Sequence, residues 1–521
     1  MKDNMKKRIL LLSMPNTTFG FDRMSRMPNL GLCSIAGNVD KDLIDDLSIV
    51  DLTTIRSNIR KYVIKLLKSF KPDIVGLTAM SFQFQTAIEI CKIIKEVNAN
   101  IITVVGGYHV TTDYDSITYN QYFDLIDFIV RGEGEAAFNN LVKALCEGSN
   151  QFNEIENLTF KQDGKFTQNP CGEILDLDQI KFPDRSSRLT KKYFTFGKRT
   201  DVIETSRGCT MSCNFCCMQS MYGRTFRKYS TERIVEDIKS VVANGTELIF
   251  ISDDNAFINL KHMHNVCDAI IENGLNKIDY IIQASVHGIA SDENLVAKMA
   301  RAGFKFIFIG IENISTNHLE FLSKDKKIST ESEHAVRLLQ KNNIIVGGGF
   351  IIGLPEDTRE SIWQNYHFAR KMKIDDPFFS VITPYLNTDL RNNLNEQGLI
   401  TNKDDLCFYD TVQTNIKTKN LSSEEIAYIF WEMYSKYFDL EYLKFNKFRK
   451  VYPLFFWKLI LKEIPKVIWR WQKKILNGKA NLSNYKASRK ILIKDLKRSL
   501  LDRKELVLSR LKELDIDKMN N

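Results

Sequence analysis

Residues 204–220, ETSRGCTMSCNFCCMQS, place four of the chain's ten cysteines within nine positions, next to an arginine, a glycine and an aromatic. Cys209, Cys213 and Cys216 form C-x3-C-x2-C, close enough for one loop to wrap a single metal centre. A mononuclear zinc site usually takes four ligands from two distant pairs, and no partner pair at that spacing follows. A four-iron cluster takes one ligand per iron, so three cysteines leave one iron open to an exogenous ligand. Gly208 suits close backbone approach to such a centre, and Phe215, between the last two ligands, would shield it from water. A reduced or zinc-bound structural loop is the bland alternative. Cys217 reads as packing, with a role as substitute ligand as the second reading.

The stretch sits at the end of an apolar run at 201–206, and comparable runs recur at 247–252, 278–286, 304–311, 344–353 and 376–383, separated by helical patterns. In STERIVEDIKSVVANG, Ile234, Ile238, Val241 and Val242 share one face, Ser230 or Thr231 is the N-cap, and Gly245 is the stop. Six βα units are too few for an eight-stranded barrel. They predict an open, partial (β/α)6 barrel over 196–400 with its chemistry at the carboxyl ends of the strands.

Upstream, strand runs at 7–14, 47–52, 73–80, 100–107 and 125–132 alternate with helical ones. Strands apolar on both faces predict an α/β fold with a doubly wound parallel sheet over 1–150, its ligand at the strands' carboxyl ends. Residues 151–195 read as a connector containing a hairpin, IENLTFKQDGKFTQ, that turns at Asp-Gly. Residues 401–521 read as a helical, basic C-terminal domain.

With 44% hydrophobic and 26% charged residues in 521, the chain has the composition of a globular protein. The other six cysteines are scattered, as suits reduced thiols packed as small apolar groups. No secretory h-region and no apolar run of about 18 residues is visible, which predicts a cytoplasmic protein. Of the net charge of +9, residues 441–521 contribute +14 (22 Lys and Arg, 8 Asp and Glu), leaving −5 on the first 440.

The cysteine loop, with RGEGEAAFNNL, VVGGYHVTTD, ISDDNAFIN, IGIEN, GGGFIIGLPEDT and ITPYLNTDL each at its place relative to the strands, resembles the cobalamin (B12)-binding radical S-adenosylmethionine (SAM) enzymes over residues 7–420. The resemblance implies a Rossmann-like, cobalamin-binding first domain and a radical SAM barrel. It implies three cofactors: a [4Fe-4S] cluster on Cys209, Cys213 and Cys216, SAM chelated at the open iron, and cobalamin. SAM then yields a radical able to take hydrogen from an unactivated carbon. For SAM it points to Phe215, Asp254, Asn255, Gln283, Glu312 and Gly353, with Asp253 beside them. Asp254 has helix capping as its alternative, Gln283 backbone satisfaction, and Gly347, Gly348, Gly349 and Gly353 a β-bulge. For cobalamin it points to Ser81, Gln83, Gly106, Gly107, His109, Gly132, Glu133 and Gly134. The D-x-H-x-x-G motif is absent, so His109 is expected to line the pocket rather than ligate cobalt. Only Cys267 and Cys407 follow the loop, which predicts a single cluster.

The expected activity is C-methyl transfer. A radical cyclase, rearrangement or oxidative enzyme is the second reading, and a cluster-containing binding or sensor protein the third. The expected partners are a small-molecule, lipid or peptide substrate and a reductant such as flavodoxin or ferredoxin, with no nucleic acid. In the tail, Phe455, Phe456, Trp457, Ile460, Val467, Ile468 and Trp471 among basic residues suit either contact with an anionic membrane surface or a cap that closes the barrel's open side, and Pro465 divides the helix. The final segment is amphipathic.

Overall fold

The computed structural model describes residues 6–15, 26–55, 58–113 and 120–458. Its strands form two seven-stranded sheets. The first contains β1 (Lys7–Ser13), β2 (Ile44–Asp51), β3 (Ile74–Thr78), β4 (Ile102–Gly106), β5 (Phe128–Val130), β6 (Leu158–Gln162) and β7 (Lys165–Gln168), in the order β2-β1-β3-β4-β5-β6-β7. Strands β1 to β5 are parallel. In β1, Leu10 and Leu12 enter the core under the helices Ile59–Phe70 and Phe84–Val97, while Ile9 and Leu11 enter the core under Leu30–Asn38 and Glu135–Glu147. That two-sided burial is why these strands read as continuous apolar runs. Strand order reverses at β1 and β3, so the ligand crevice of this doubly wound sheet opens beyond their carboxyl ends.

The hairpin within 151–195 is not free-standing. Strand β6 pairs antiparallel with β5 and β7 returns beside it, extending the first sheet. Its turn residues Asp163 and Gly164 have φ of 51° and 74°, the left-handed pair that matches strand twist in a two-residue hairpin. Further on, Arg185 donates to Asp237 at 2.6 and 2.9 Å and Arg188 to Asp201 at 3.0 and 2.6 Å, both pairs buried. Beside them the amide of Ile49 donates to the carbonyl of Ser187 and the amide of Leu189 to the carbonyl of Ile49. The segment thus joins the edge of the first sheet to the second by bidentate charge-assisted bonds.

The second sheet begins with the short antiparallel edge strand β8 (Tyr193–Thr195) and β9 (Lys198–Ile203). A two-residue ladder, β10 (Ser206–Arg207) with β11 (Arg227–Lys228), stands apart from it. Then come β12 (Leu248–Ile251), β13 (Asp279–Ser285), β14 (Phe304–Glu312), β15 (Ile345–Ile352) and β16 (Asp376–Val381). The six strands β9 and β12 to β16 are all parallel, and β16 and β8 form the two unpaired edges of an open barrel. The helix Thr231–Ala243 buries Ile234, Ile238 and Val241, with Ser230 as N-cap, and the chain reverses at Gly245 with φ 82°.

The described part of the tail closes neither the open side of the barrel nor its catalytic end. Phe448 and Tyr452 stack around Phe196, with centroids 4.8 and 5.2 Å away, and Phe448 meets Phe306 at 6.0 Å. Lys447 Nζ donates to the carbonyls of Gln340 and Ile344, and Tyr442 and Asn446 donate to the carbonyl of Asp375. These partners lie at the amino ends of the barrel strands, so 440–457 plugs the bottom. Residues 459–521, on which most of the membrane-surface expectation rests, lie outside the described residues. Among the described residues no helix is long and apolar enough to cross a membrane.

Candidate active site

The cysteine loop leaves the carboxyl end of β9 and is rooted from below by the turn after β12. Asp253, fully buried, accepts the Thr205 amide at 2.7 Å and the Ser206 hydroxyl at 2.7 Å, and also the Thr205 hydroxyl. That hydroxyl is 3.1 Å from Nε2 of buried His262. Asp254 accepts the Gly208 amide at 2.7 Å. Gly208 has φ 88°, and a Cβ there would lie 2.4 Å from the Thr225 carbonyl oxygen, so no other residue fits the turn. Burial pushes Asp253 up to about 6 and Asp254 up to about 7. Both carboxyls therefore brace the root of the loop. Asp254 does not cap the next helix, which Asn259 does; it is half-buried and spends Oδ2 on the Gly208 amide.

Asn255 Nδ2 lies 3.9 Å from Cys209 Sγ, while its buried Oδ1 has no partner among the described residues. Asn214 clamps the middle of the loop: its amide donates to the Leu322 carbonyl at 3.3 Å, its side chain to the Phe321 carbonyl at 2.5 Å, and its own carbonyl accepts from Leu390 at 3.0 Å. Cys213 is buried and the other three loop cysteines are half-buried. Burial pushes the Cys216 thiol up to about 12, and Cys217, Cys213 and Cys209 add to the rise. Burial also raises Cys217, with Asp254 adding to the rise, and Cys217 stands at the N-cap of the short helix Met218–Tyr222. Among the described residues no three His, Cys, Asp or Glu side chains converge as on a single ion. Three thiols on one loop are the donor set a cluster takes, one thiolate to each of three irons.

Glu312 ends β14 with φ 60°, just after the register shifts between Gly310 and Glu312. A left-handed backbone costs a glutamate about 1–3 kcal/mol and tends to persist where function requires it. Gly310 makes the room: a Cβ there would lie 2.5 Å from Glu312 Oε1. Lys324 Nζ sits 3.0 Å from the same oxygen and 5.7 Å above the Phe215 ring. Burial opposes the charge on Lys324, yet Glu312 and Cys213 hold its pKa above the usual lysine value. Nothing in FLSKDKK distinguishes Lys324 from its neighbours, so the sequence offered no signal for it.

The glycines of β15 do not behave as expected. A Cβ on Gly347 would lie 2.6 Å from Phe306 Cζ, and one on Gly349 would lie 2.8 Å from Phe308 Cζ. They accommodate the protein's own aromatic rings. Gly348 faces Ile374, and Gly353, with φ 86°, turns the chain and donates its amide to buried Asp357 at 2.9 Å. Gln283 is exposed on the inward face of β13.

At the carboxyl edge of the first sheet, Ser81 and Gln83 lie in a single turn after β3, where Gln83 Oε1 accepts the Met80 amide at 3.0 Å. Gly107, with φ 97°, leaves no space, since a Cβ would lie 2.6 Å from Thr78 Oγ1, and one on Gly134 would lie 2.9 Å from Ile35 Cδ1. At Gly106 and Gly132 such an atom would meet only ordinary contacts, at 3.5 Å from the Val130 carbonyl oxygen and 3.9 Å from Asn157 Oδ1. His109 is buried with its ring 4.0 Å from that of Phe84; burial pushes it down to about 3, and its Nδ1 has no partner among the described residues. A neutral imidazole with a nitrogen left over, at the carboxyl edge of the sheet, suits a cofactor pocket.

Glu133 is otherwise engaged. Its two oxygens bind Arg207 at 2.8 Å and Arg227 at 2.9 Å. Arg207, buried and adjacent to the loop, also binds Glu135 at 2.8 Å and Glu204 at 2.9 Å. The RGEGE segment therefore locks the first sheet to the cysteine loop instead of offering its carboxylate to a ligand. Tyr108 donates to the sulfur of Met218 at 3.0 Å and Asn387 to the carbonyl of Thr112, so the carboxyl edges of the two sheets face each other.

Comparison with known proteins agrees with this geometry. Residues 203–369 match the Radical SAM superfamily and residues 20–142 the B12 binding domain. An uncharacterized methyltransferase of Pyrococcus horikoshii is 31% identical over 442 residues, 83% of this chain and 93% of that protein. The anaerobic magnesium-protoporphyrin IX monomethyl ester cyclase of Rubrivivax gelatinosus is 29% identical over 75% of this chain and 70% of its own. In fold, the chain is similar to the radical S-adenosylmethionine methyltransferase TsrM of Kitasatospora setae, solved with cobalamin and a [4Fe-4S] cluster, with a TM-score of 0.66 at 17% identity over 82% of this chain and 91% of that one.

Proposed function

The chain belongs to the cobalamin-binding radical SAM enzymes, and from that premise we propose that it transfers a methyl group to an unactivated carbon of its substrate. The family's cofactors are a [4Fe-4S] cluster, SAM and cobalamin, which when bound supply one-electron chemistry at a C–H bond and a methyl group. Cys209, Cys213 and Cys216 would hold the cluster, with Asn255 beside Cys209 and Phe215 over the loop. Glu312 and Lys324 present a carboxylate and an ammonium side by side, the complement of an amino acid's own ammonium and carboxylate, and would grip that end of SAM through charge-assisted bonds. His109, Gly106 and Gly132 would line the cobalamin pocket. Arg207 and Tyr108 keep the two edges in register, which positions both cofactors about one substrate and excludes water.

Methyl transfer is supported chiefly by the relative called a methyltransferase, which the chain matches over nearly its whole length. The relative called a cyclase favours a second reading, radical oxidation or ring closure without methyl transfer. The substrate is a small molecule, lipid or peptide, and the electron comes from a reductant of the flavodoxin or ferredoxin type. Anaerobic turnover with methyl-labelled SAM, a reductant and candidate substrates separates the cases. Label in a new carbon–methyl bond, together with 5′-deoxyadenosine, supports methyl transfer. 5′-Deoxyadenosine with an unlabelled, oxidised product indicates the cyclase reading, and its absence indicates a binding or sensor protein.

A further inference from the structure

Inside the barrel, register-paired residues share a face. One transverse row is Gln283, Phe308, Gly347 and Asp376, and the next row toward the loop is Ser285, Gly310, Gly349 and Phe378. The alternate residues Ile282, Ile307, Val346 and Phe379 are buried outward. Of the inward ones only Gly347 and Gly349 are buried, under the aromatic rings: Gln283 is exposed, and Ser285, Phe308, Gly310, Asp376, Phe378 and Ser380 are half-buried although they lie within a seven-stranded sheet. Solvent therefore reaches a space bounded by these rows. Its floor is aromatic, because the glycines at 347 and 349 let the Phe308 ring lie against β15, and Phe378 meets that ring edge-on at 6.5 Å.

Asp376 stands at one end of this floor. Among the described residues its side chain has no hydrogen bond or ion pair, whereas the fully buried carboxylates Asp201, Asp237, Asp253, Asp279, Asp357 and Asp375 each meet a donor. Burial, and Asp375 behind it, push Asp376 up to about 6. The nearest lysine to Asp375, Lys447, directs its ammonium at the carbonyls of Gln340 and Ile344. The charge of Lys447 reaches Asp375, whereas Asp376 has no cation paired with it among the described residues. At the other end of the row, about 14 Å away over three interstrand spacings, Gln283 offers an unengaged amide.

We propose that this inward face is the substrate-recognition surface, taking a molecule with a flat apolar body laid on Phe308 and Phe378 and a protonated amine seated on Asp376. The proposal rests on the reading of the barrel as the SAM-dependent centre. It is separable from that reading, because Phe308, Phe378 and Asp376 lie below Glu312 and the cysteine loop and are not among the residues expected to hold SAM; Gln283, which is, ends the row. An apolar body gains from burial on the rings, and a half-buried carboxylate with no donor of its own gains from a charged one.

The test uses full-length protein with its cluster reconstituted anaerobically. 2-Naphthylethylamine, 2-naphthylethanol and ethylnaphthalene are titrated by saturation-transfer NMR, and iron content and SAM affinity are measured on the same preparation. Wild type should bind the amine at least about tenfold more tightly than the other two. Asp376→Asn should abolish that preference and leave iron and SAM affinity unchanged, and Phe308→Ala should weaken all three alike. Equal binding of the three probes by wild type, or preference for the alcohol, overturns the proposal even if the asparagine variant fails to fold. A fall in SAM affinity in Asp376→Asn also overturns it, by assigning the row to SAM. Lack of iron and SAM binding in wild type would instead count against the reading of the centre itself.

Discussion

The carboxyl edge of the barrel and that of the first sheet face each other but are built on different principles. The barrel edge concentrates ionisable groups: Glu312 in a left-handed backbone paired with Lys324, Asp253 buried and Asp254 half-buried beneath the loop, and three thiols in one another's field. The first-sheet edge carries glycine turns largely filled by the protein's own atoms, one neutral buried histidine and an arginine lock. A cluster and an amino-acid zwitterion need few ligands of defined charge at defined points. A corrinoid is large and is held by shape over many weak contacts, so no single side chain has to stand out.

The contrast is broken most severely at the thiols. Cys209→Ala, Cys213→Ala and Cys216→Ala should each lose the cluster of about four irons and all SAM cleavage, whereas Cys217→Ala should keep both; iron analysis and EPR decide. An inactive Cys217→Ala beside an active Cys216→Ala would reassign the third ligand.

Next in size is the lock between the edges. Arg207→Ala leaves Glu133, Glu135 and Glu204 without their shared cation, and breaking a buried ion pair costs about 3–5 kcal/mol. Denaturant unfolding of the variant should show a loss of that order, and Arg207→Lys a smaller one because it cannot fork to several carboxylates. Unchanged stability would mean that the edges are held together elsewhere.

At the SAM end, Glu312→Gln and Lys324→Met should each weaken SAM about tenfold to a hundredfold, the equivalent of one charge-assisted bond of about 1.5–3 kcal/mol, without altering iron content. Calorimetry on the reconstituted protein measures it. If affinity is intact in both, the pair is a structural ion bridge.

A gentler effect is expected from Asp376. Its folded-state pKa is raised to about 6, so the folded protein holds this proton more tightly than the unfolded chain. Its contribution to stability is therefore present below the ordinary carboxyl pKa and is lost as pH rises to about 6, with no further change above. Thermal melts across that window should fall less steeply in Asp376→Asn than in wild type, Asp375 retaining its own share. Parallel curves would place Asp376 in bulk-like water.

The smallest change should come from His109→Ala. A neutral imidazole that lines a pocket contributes contact area rather than a bond to metal, so corrinoid content should fall only a few-fold and the EPR spectrum of the cob(II)alamin form should be unaltered. Loss of nitrogen hyperfine structure in the variant would make His109 a cobalt ligand.

Much of this was legible in the chain. Two-sided apolar runs announced a parallel doubly wound sheet, six βα units announced an open barrel, and the spacing of Cys209, Cys213 and Cys216 announced a cluster, because periodicity and ligand spacing are local properties that each element carries by itself. Asp163-Gly164 likewise announced its hairpin. Only the tertiary structure decided that Glu133 grips Arg207, that Asp254 supports the Gly208 amide, that the β15 glycines seat Phe306 and Phe308, and that 440–457 plugs the amino ends of the strands. It alone brought Lys324 to Glu312 and left Asp376 without a donor among the described residues. Those facts depend on which distant side chains share a buried space, and the energy of a charge or a gap is set by that surrounding, not by the residues on either side of it in the chain.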